Sequence, residues 1–264
     1  MIYGFEQPYL EGIKKELSSY FSNIYTDDFG SLIAENTDSE VLIGIPASEN
    51  AFLINEITDD GLAIFSCLKD VSDDVLLHQT VSVNKKIGFI CADNKIDFGY
   101  SDKKSVSKFL KAGDTVYIKP VIESCGNAYF TNSKCRLLKN IIVDIIKKSA
   151  VSANYAFLRE DKKGAFALGK NLSMNTAYFL TLVPDLTEAA CFIKKEGDFI
   201  SDIYEKSPVA VLKTEYSLAN PYYLSGGSSK STGIGLRCYD LKNGWFKVNK
   251  DDIKSLINLL EASN

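Results

Sequence analysis

Two kinds of hydrophobic pattern divide the sequence, and this division constrains the fold more than any other feature. Between residues 50 and 120, short β-like segments follow one another, including a hairpin around the turn Thr58-Asp-Asp-Gly61. Before and after this part, helical and strand-like patterns alternate, which is typical of an α/β domain with a mixed or parallel sheet. The sequence therefore predicts an α/β domain over residues 1–50 and 121–264, interrupted by a small β domain over residues 51–120.

The clearest single elements are one buried strand and one amphipathic helix. Residues 40–45 form a continuous apolar run, as expected for a central strand that is covered on both faces. Residues 134–148 place their leucines and isoleucines on one side of a helix. The same reasoning predicts helices over 8–22, 103–112 and 251–261, and strands over 31–34, 51–57, 62–67, 79–83, 86–91, 114–118, 152–158, 175–183, 189–193, 208–212 and 233–238.

Composition excludes several classes of protein. The net charge is −4, and the lysine pairs are scattered beside apolar helical stretches, whereas a nucleic-acid surface needs clustered basic residues. No apolar run approaches the length of a membrane span, and the first residues lack the pattern of a signal peptide. We therefore expect a cytoplasmic protein that binds neither nucleic acid nor membranes.

The six cysteines show no Cys-x-x-Cys spacing, which argues against zinc-ribbon and thioredoxin-like sites. Most of them lie in apolar runs, such as those that contain Cys91 and Cys191. We therefore expect buried free thiols.

Several stretches resemble those of one known family, in the same order along the chain. Two of them are Val41-Leu-Ile-Gly-Ile-Pro-Ala-Ser-Glu-Asn-Ala-Phe-Leu-Ile54 and Tyr155-Ala-Phe-Leu-Arg-Glu-Asp161, and the others lie at 24–34, 95–106, 110–117, 128–138 and 226–233. Together they resemble the tetrahedral (glutamyl or deblocking) aminopeptidases, a family of co-catalytic metallopeptidases. The resemblance covers nearly the whole chain. It implies a three-layer α/β domain with a mixed sheet, interrupted by a small inserted β-barrel of the dimerisation type.

The resemblance also implies where metal ligands would stand. Active relatives hold two zinc or cobalt ions through two His and several Asp or Glu side chains. The family's ligand positions fall here on Pro46, Thr131, Asp161, Val183 (approximately) and Trp245, and Asn132 stands where the family has a second Asp. Because most of these residues lack a carboxylate or imidazole, the sequence predicts that no metal cofactor is bound.

Two carboxylates remain at this predicted site. Glu160 takes the position of the catalytic base, and Asp161 follows it. Together with Asp185 they could form a weak magnesium or calcium site, but the favoured interpretation is a solvated charged turn at the end of a strand. The single histidine, His78, lies in the predicted β domain, so we expect a surface or hydrogen-bonded residue there, and no Ser-His triad.

A glycine-serine stretch at residues 225–233 does not have the spacing of a phosphate-binding loop. The favoured interpretation is a flexible loop at the rim of the former catalytic cleft. Its backbone amides could still bind an anion such as a peptide carboxylate, with Gly226, Gly227, Ser228 and Lys230 as the candidate residues.

Two functional hypotheses follow from the resemblance. The first is a non-catalytic homologue that binds peptides or acts as an oligomer partner, either with itself or with an active paralogue. The second is a weak or atypical metal-dependent aminopeptidase that uses Glu160 and Asp161. The fold does not decide between them, because function depends on the site.

Overall fold

The computed structural model describes residues 7–27, 30–47, 50–68, 76–148, 151–159, 174–183, 193–194, 210–211, 228–241 and 243–262. The strands, numbered in chain order, are β1 (Asn23–Thr26), β2 (Leu32–Glu35), β3 (Val41–Pro46), β4 (Ala51–Ile57), β5 (Ala63–Cys67), β6 (Thr80–Val83), β7 (Lys86–Cys91), β8 (Lys95–Asp97), β9 (Thr115–Ile118), β10 (Ile122–Cys125), β11 (Ala128–Thr131), β12 (Asn154–Leu158), β13 (Met174–Val183), β14 (Ile193–Lys194), β15 (Ala210–Val211), β16 (Ser228–Arg237), β17 (Tyr239–Asp240) and β18 (Phe246–Asn249). The described helices are α1 (Gln7–Leu17), α2 (Lys103–Val106), α3 (Lys134–Lys147) and α4 (Lys250–Ala262).

A mixed sheet forms the centre of the molecule, with the strand order β1-β2-β12-β3-β13-β16-β14 and with β15 also paired to β16. The central strands β12, β3, β13 and β16 are mutually parallel, and the outer strands are antiparallel to their neighbours. The apolar run of β3 explains its central position. Ile43 and Ile45 are buried on one face of the sheet and Leu42 on the other, so that this strand is covered on both sides.

Three helices pack against one face of this sheet. Side chains of α1, α3 and α4 share one hydrophobic cluster with Ile43, Ile45, Tyr155 and Phe157. Helix α3 begins at its N-cap Ser133, whose side chain accepts a hydrogen bond from the backbone N–H of Arg136 at 3.1 Å. Burial of one such leucine or isoleucine contributes about 1.5–3 kcal/mol. The apolar stripe predicted for 134–148 is therefore what holds this helix against the sheet.

The strands β4 to β9 close into a barrel in the order β4-β5-β8-β7-β6-β9. Gly61 closes the β4–β5 hairpin with a φ of 83°, and Asn84 and Lys85 close the β6–β7 hairpin with φ of 45° and 64°. Two consecutive residues with positive φ match the right-handed twist of paired strands. The α/β fold with an inserted β-barrel is thus confirmed, whereas the predicted domain division at residues 50 and 120 stays a prediction.

A third, four-stranded antiparallel sheet was not predicted from the sequence. Its order is β10-β11-β18-β17, and its strands are four residues long or shorter. Three of the four side chains of β10 are exposed, so no alternating hydrophobic pattern marks this strand. The short edge strand β1 was missed for the same reason, since its apolar residues are only half-buried.

Several predicted boundaries were wrong. The helix predicted over 103–112 ends at Val106, and turns follow as far as Gly113, whose φ of 87° suits glycine. The helix predicted over 8–22 ends at Leu17. The strand predicted over 233–238 begins at Ser228, because its backbone pairs with β13 from Met174 onwards.

The expectation of buried thiols was also wrong for most of the described cysteines. Cys238 is buried, but Cys125 is exposed, and Cys67, Cys91 and Cys135 are half-buried. Apolar neighbours in sequence did not predict burial here because alternate strand residues point to opposite faces, as at Cys91 on the barrel. Among the described helices, none is long and apolar enough to cross a membrane.

Candidate functional site

The carboxyl ends of the parallel strands carry two of the positions where the resemblance places metal ligands. Pro46 is the last residue of β3 and lies opposite Leu158 of β12, and the backbone N–H of Ala47 donates to Leu158 O at 2.8 Å. Val183 ends β13 opposite Arg237 of β16. Ligands of α/β proteins bind at this edge of the sheet. Neither proline nor valine, however, has a side-chain atom that can bind a metal ion.

The buried residue Thr131 occupies the position of the bridging aspartate. It is the last residue of β11 and has 0% exposure. Its hydroxyl donates to Val121 O at 2.8 Å and accepts from the backbone N–H of Ser133 at 3.0 Å. These two contacts hold the turn between β11 and α3. Both of these hydrogen bonds of the hydroxyl are therefore made with backbone atoms.

Asn132 uses both ends of its side-chain amide. Its Oδ1 accepts from the backbone N–H of Val121 at 2.7 Å, and its Nδ2 donates to Lys119 O at 3.1 Å and to Gln79 Oε1 at 3.0 Å. A carboxylate has no N–H group for the two acceptors. An aspartate at this position would bring its charge against two oxygens, so the structure specifies an amide here.

Gln79 joins the barrel to the rest of the molecule. It lies just before β6 and is only 4% exposed. Its Oε1 accepts from Asn132, and its Nε2 donates to the backbone O of Asn243 between β17 and β18. We call Gln79, Asn132 and Asn243 the amide clasp. One indication of this cluster was present in the sequence, namely that Asn132 stands where the family has an Asp. Nothing in the sequence indicated the contacts with Gln79 and Asn243.

The structure brings Trp245, the position of the last histidine, close to Thr131. Phe246 follows Trp245 and lies opposite Thr131 in the pairing of β18 with β11. Trp245 is half-buried, and its backbone O accepts from the N–H of Leu241 at 2.9 Å. Two of the predicted ligand positions thus meet at one sheet, but they supply a hydroxyl and an indole instead of ligands for a two-metal centre.

Cys238, at the end of β16, is the buried thiol nearest in sequence to this region. Burial raises the pKa of its thiol, and the opposing effect of Lys134 is smaller. The group is therefore a thiol and not a nucleophilic thiolate at neutral pH. Among the described residues, no three His, Cys, Asp or Glu side chains converge on a point that could hold a metal ion.

Other candidate residues are placed as follows. Glu160, Asp161, Gly226 and Gly227 lie outside the described residues. Ser228 and Lys230 belong to β16, opposite Met174 and Thr176, so the interpretation of 228–233 as a flexible loop was wrong. Ser228 starts β16 and therefore lies at the amino edge of the parallel strands, away from Pro46 and Val183. Anion binding by these residues stays a prediction.

His78 lies in the barrel, as predicted, and is exposed. Its backbone has a φ of 66°, and its N–H donates to Ile90 O at 2.9 Å. The imidazole belongs to a surface turn before β6.

Solved structures share this fold over nearly the whole chain. An endoglucanase from Thermotoga maritima has a TM-score of 0.73 at 17% identity, covering 99% of this chain and 92% of its own. The TET1 peptidase of Pyrococcus horikoshii, described as assembling into a tetrahedron or a large octahedral shell, has a TM-score of 0.68 at 18% identity, covering 99% and 94%. An aminopeptidase from the archaeon Desulfurococcus kamchatkensis has a TM-score of 0.73 at 16% identity, covering 98% and 89%. No family model matches the chain.

Proposed function

We propose that this chain is a tetrahedral-aminopeptidase homologue that has lost two-metal catalysis and acts as a peptide-binding or oligomer-partner protein. The observation that carries the proposal is the environment of Asn132. The resemblance places the family's second Asp there, directly after Thr131 at the position of the bridging aspartate, and the side chain present donates to Lys119 O and Gln79 Oε1. These donor contacts suit an amide and not a carboxylate, which supports a role of this position in holding the fold.

The neighbouring positions support the same conclusion. A co-catalytic site needs a bridging carboxylate between its two ions. Thr131 is neutral, and its hydroxyl is engaged by Val121 and Ser133. Pro46 and Trp245 replace the two histidines that the resemblance implies. The described residues therefore do not fit a two-metal centre, and we assign no metal-dependent step to this chain.

Assembly with another subunit of the same fold is the proposed role of the barrel surface. Phe89 and Ile87 stand on the outer side of β7, with 57% and 46% of their surfaces exposed. Large apolar side chains exposed side by side favour a protein interface. The Pyrococcus horikoshii TET1 peptidase, which has this fold, can assemble into a tetrahedron or a large octahedral shell. The proposed partner is either a second copy of this chain or an active paralogue.

Metal analysis and a peptidase assay test the loss of catalysis. We expect purified protein to retain far less than the roughly two zinc or cobalt ions per chain that a co-catalytic site requires, and to leave aminoacyl-anilides uncleaved. Two tightly held ions per chain would overturn the proposal. Cleavage that chelators abolish and that Glu160→Ala removes would instead establish the alternative, an atypical metal-dependent aminopeptidase.

Light scattering tests the assembly. We expect the wild-type protein, alone or mixed with a paralogue, to form a species larger than one chain. Phe89→Lys places a charge in the proposed interface and should shift this species towards the monomer. Tyr20→Lys, which changes an exposed aromatic residue outside the barrel, is the matched control. A monomer under all conditions would contradict the oligomer role and leave the metal result unaffected.

A further inference from the structure

A cleft of about 430 Å³ opens at the amino edge of the parallel strands, opposite the edge that carries Pro46. Its walls come from four segments: residues 20–22 after α1, Glu35 to Asp38 at the end of β2, Ile146 of α3, and residues 151–153 with Tyr155 at the start of β12. Its volume is within the usual range of sites for small molecules, which is about 300–1,000 Å³. None of the positions discussed above for metal ligands lines this cleft.

The walls of the cleft are held in place by hydrogen bonds between distant parts of the chain. Asn36 donates from its backbone N–H to Asn154 Oδ1 at 2.8 Å and from its Nδ2 to Ser152 Oγ at 3.0 Å. The hydroxyl of Ser39 donates to Ser152 O at 2.9 Å. The turn after β2 is therefore fixed on the segment before β12, and the cleft exists before any ligand arrives.

Aromatic rings form the apolar part of the cleft. The rings of Phe21 and Tyr155 meet edge to face with 5.9 Å between their centroids. The hydroxyl of Tyr155 donates to Val151 O at 2.9 Å. Tyr20 stands at the opening with 47% of its surface exposed. A ligand in the cleft therefore meets the rings of Tyr20 and Phe21, while Tyr155 is only 1% exposed and packs against Phe21.

The charge of the cleft is negative. Its described lining includes the carboxylates of Glu35 and Asp38 and no lysine or arginine. The Glu35 carboxylate accepts a hydrogen bond from the side-chain Nδ2 of Asn23, and among the described residues neither carboxylate forms an ion pair. The negative charge also acts on Tyr25 of β1. Burial raises the pKa of its phenol, and the charges of Glu35 and Asp27 raise this pKa further.

We propose that this cleft binds an organic cation, namely an ammonium or guanidinium group that carries an aromatic or apolar substituent. The carboxylates of Glu35 and Asp38 attract the positive charge, and the rings of Tyr20 and Phe21 contact the substituent. Rings also attract a cation directly through their electron-rich faces. An anion of the same size would meet two like charges, and a neutral molecule would lose the electrostatic attraction.

The test is an NMR titration of the ¹⁵N-labelled full-length protein with benzylamine, which is cationic at pH 7, and with the neutral analogue benzyl alcohol. Benzylamine should shift the amide signals of residues 36–39 and 151–155 along a saturable curve. Benzyl alcohol should bind at least roughly fivefold more weakly, which corresponds to about 1 kcal/mol of charge interaction. Added salt should weaken the binding of benzylamine and leave the binding of benzyl alcohol unchanged.

Variants separate the carboxylates from the rings. Asp38→Asn and Glu35→Gln should each weaken the binding of benzylamine roughly threefold to fivefold and leave the binding of benzyl alcohol unchanged. Asp93→Asn, which removes one exposed carboxylate in the barrel, is the matched control and should change neither. The proposal is overturned if benzylamine gives no saturable shifts in these segments, if both ligands bind equally, or if Asp38→Asn and Glu35→Gln bind benzylamine like the wild type.

Discussion

The side-chain Nδ2 of Asn132 donates to the Oε1 of Gln79 at 3.0 Å, and this bond ties the segment after β11 to the barrel. The two residues are 53 positions apart in the chain. Gln79 in turn donates to the backbone O of Asn243, so one buried amide links three separate segments. A buried polar group is costly unless its partners are present, and here each end of the Gln79 amide has one.

Asn132→Asp tests whether the amide clasp requires an amide. We expect this variant to lose about 2–4 kcal/mol of unfolding free energy at pH 7, because the new carboxylate faces Lys119 O and Gln79 Oε1. Asn132→Ala removes the same contacts without adding a charge and should lose less. Urea unfolding followed by circular dichroism measures both variants.

The pH dependence of Asn132→Asp gives a second readout. The folded state should raise the pKa of the introduced carboxyl above its unfolded value of about 3.9, because the neighbouring oxygens oppose its charge. The stability of the variant is then closest to that of the wild type below the unfolded pKa of about 3.9. The variant loses stability as the pH rises from there through the folded pKa. Equal stability of the variant and the wild type at pH 7 would mean that the position does not require an amide.

A double-mutant cycle measures the coupling between Gln79 and Asn132. We expect Gln79→Ala and Asn132→Ala together to cost about 1 kcal/mol less than the sum of the two single changes, since each single change leaves the other side chain without its partner. Asn55 and Ser66 form a comparable bond of 2.8 Å that is exposed to solvent on the barrel. Their cycle is the control and should give a coupling of a few tenths of a kcal/mol at most. Additive effects at Gln79 and Asn132 would contradict the clasp.

The sequence predicted those parts of the fold whose signal is local. Strand β3 and helix α3 were found because their apolar residues follow the spacing of a buried strand and an amphipathic helix. Strand β10, which pairs with β11, was missed because three of its four side chains are exposed, and β11 was missed because its pairing with β18 joins residues more than 100 positions apart. The clasp was missed for the same reason, since no property of Gln79 in its own segment indicates that Asn132 lies beside it.

The close packing at Gly44 can be tested with a matched pair of glycines. A Cβ at Gly44 would stand 2.8 Å from Phe179 Cδ1 and 2.9 Å from Leu158 Cδ1 in the centre of the mixed sheet. We therefore expect Gly44→Ala to cost about 1–3 kcal/mol. At Gly12 in α1 a Cβ would meet no atom within 4 Å, so Gly12→Ala should stabilise the protein by about 0.5–1 kcal/mol. Thermal unfolding of both variants checks the prediction, and a neutral result at Gly44 would show that β12 and β13 can move apart.

The ion pairs of Glu16 predict how the contact between α1 and α3 responds to acid. Lys139 Nζ lies 2.8 Å from Glu16 Oε2, and Lys147 Nζ lies 3.3 Å from Oε1. The hydrogen bond from Lys139 is the main cause that lowers the pKa of Glu16, and burial opposes it. Because the folded pKa is the lower one, the stabilisation is present above the unfolded pKa of the carboxyl and is lost as the pH falls through the folded value.

Glu16→Gln should therefore destabilise the protein at pH 7 and have progressively less effect as the pH falls into the acid range. The matched control is Asp251→Asn, which removes an exposed carboxylate that pairs with Lys254 within α4 at 3.0 Å and keeps a side-chain oxygen that can accept from Asn127 Nδ2. We expect the control to change the stability less, because an exposed pair within one helix is well screened. Urea unfolding at pH 7 and at a series of lower pH values measures both variants. If the gap between Glu16→Gln and the wild type stays constant with pH, the side chain stabilises the contact through packing and not through its charge.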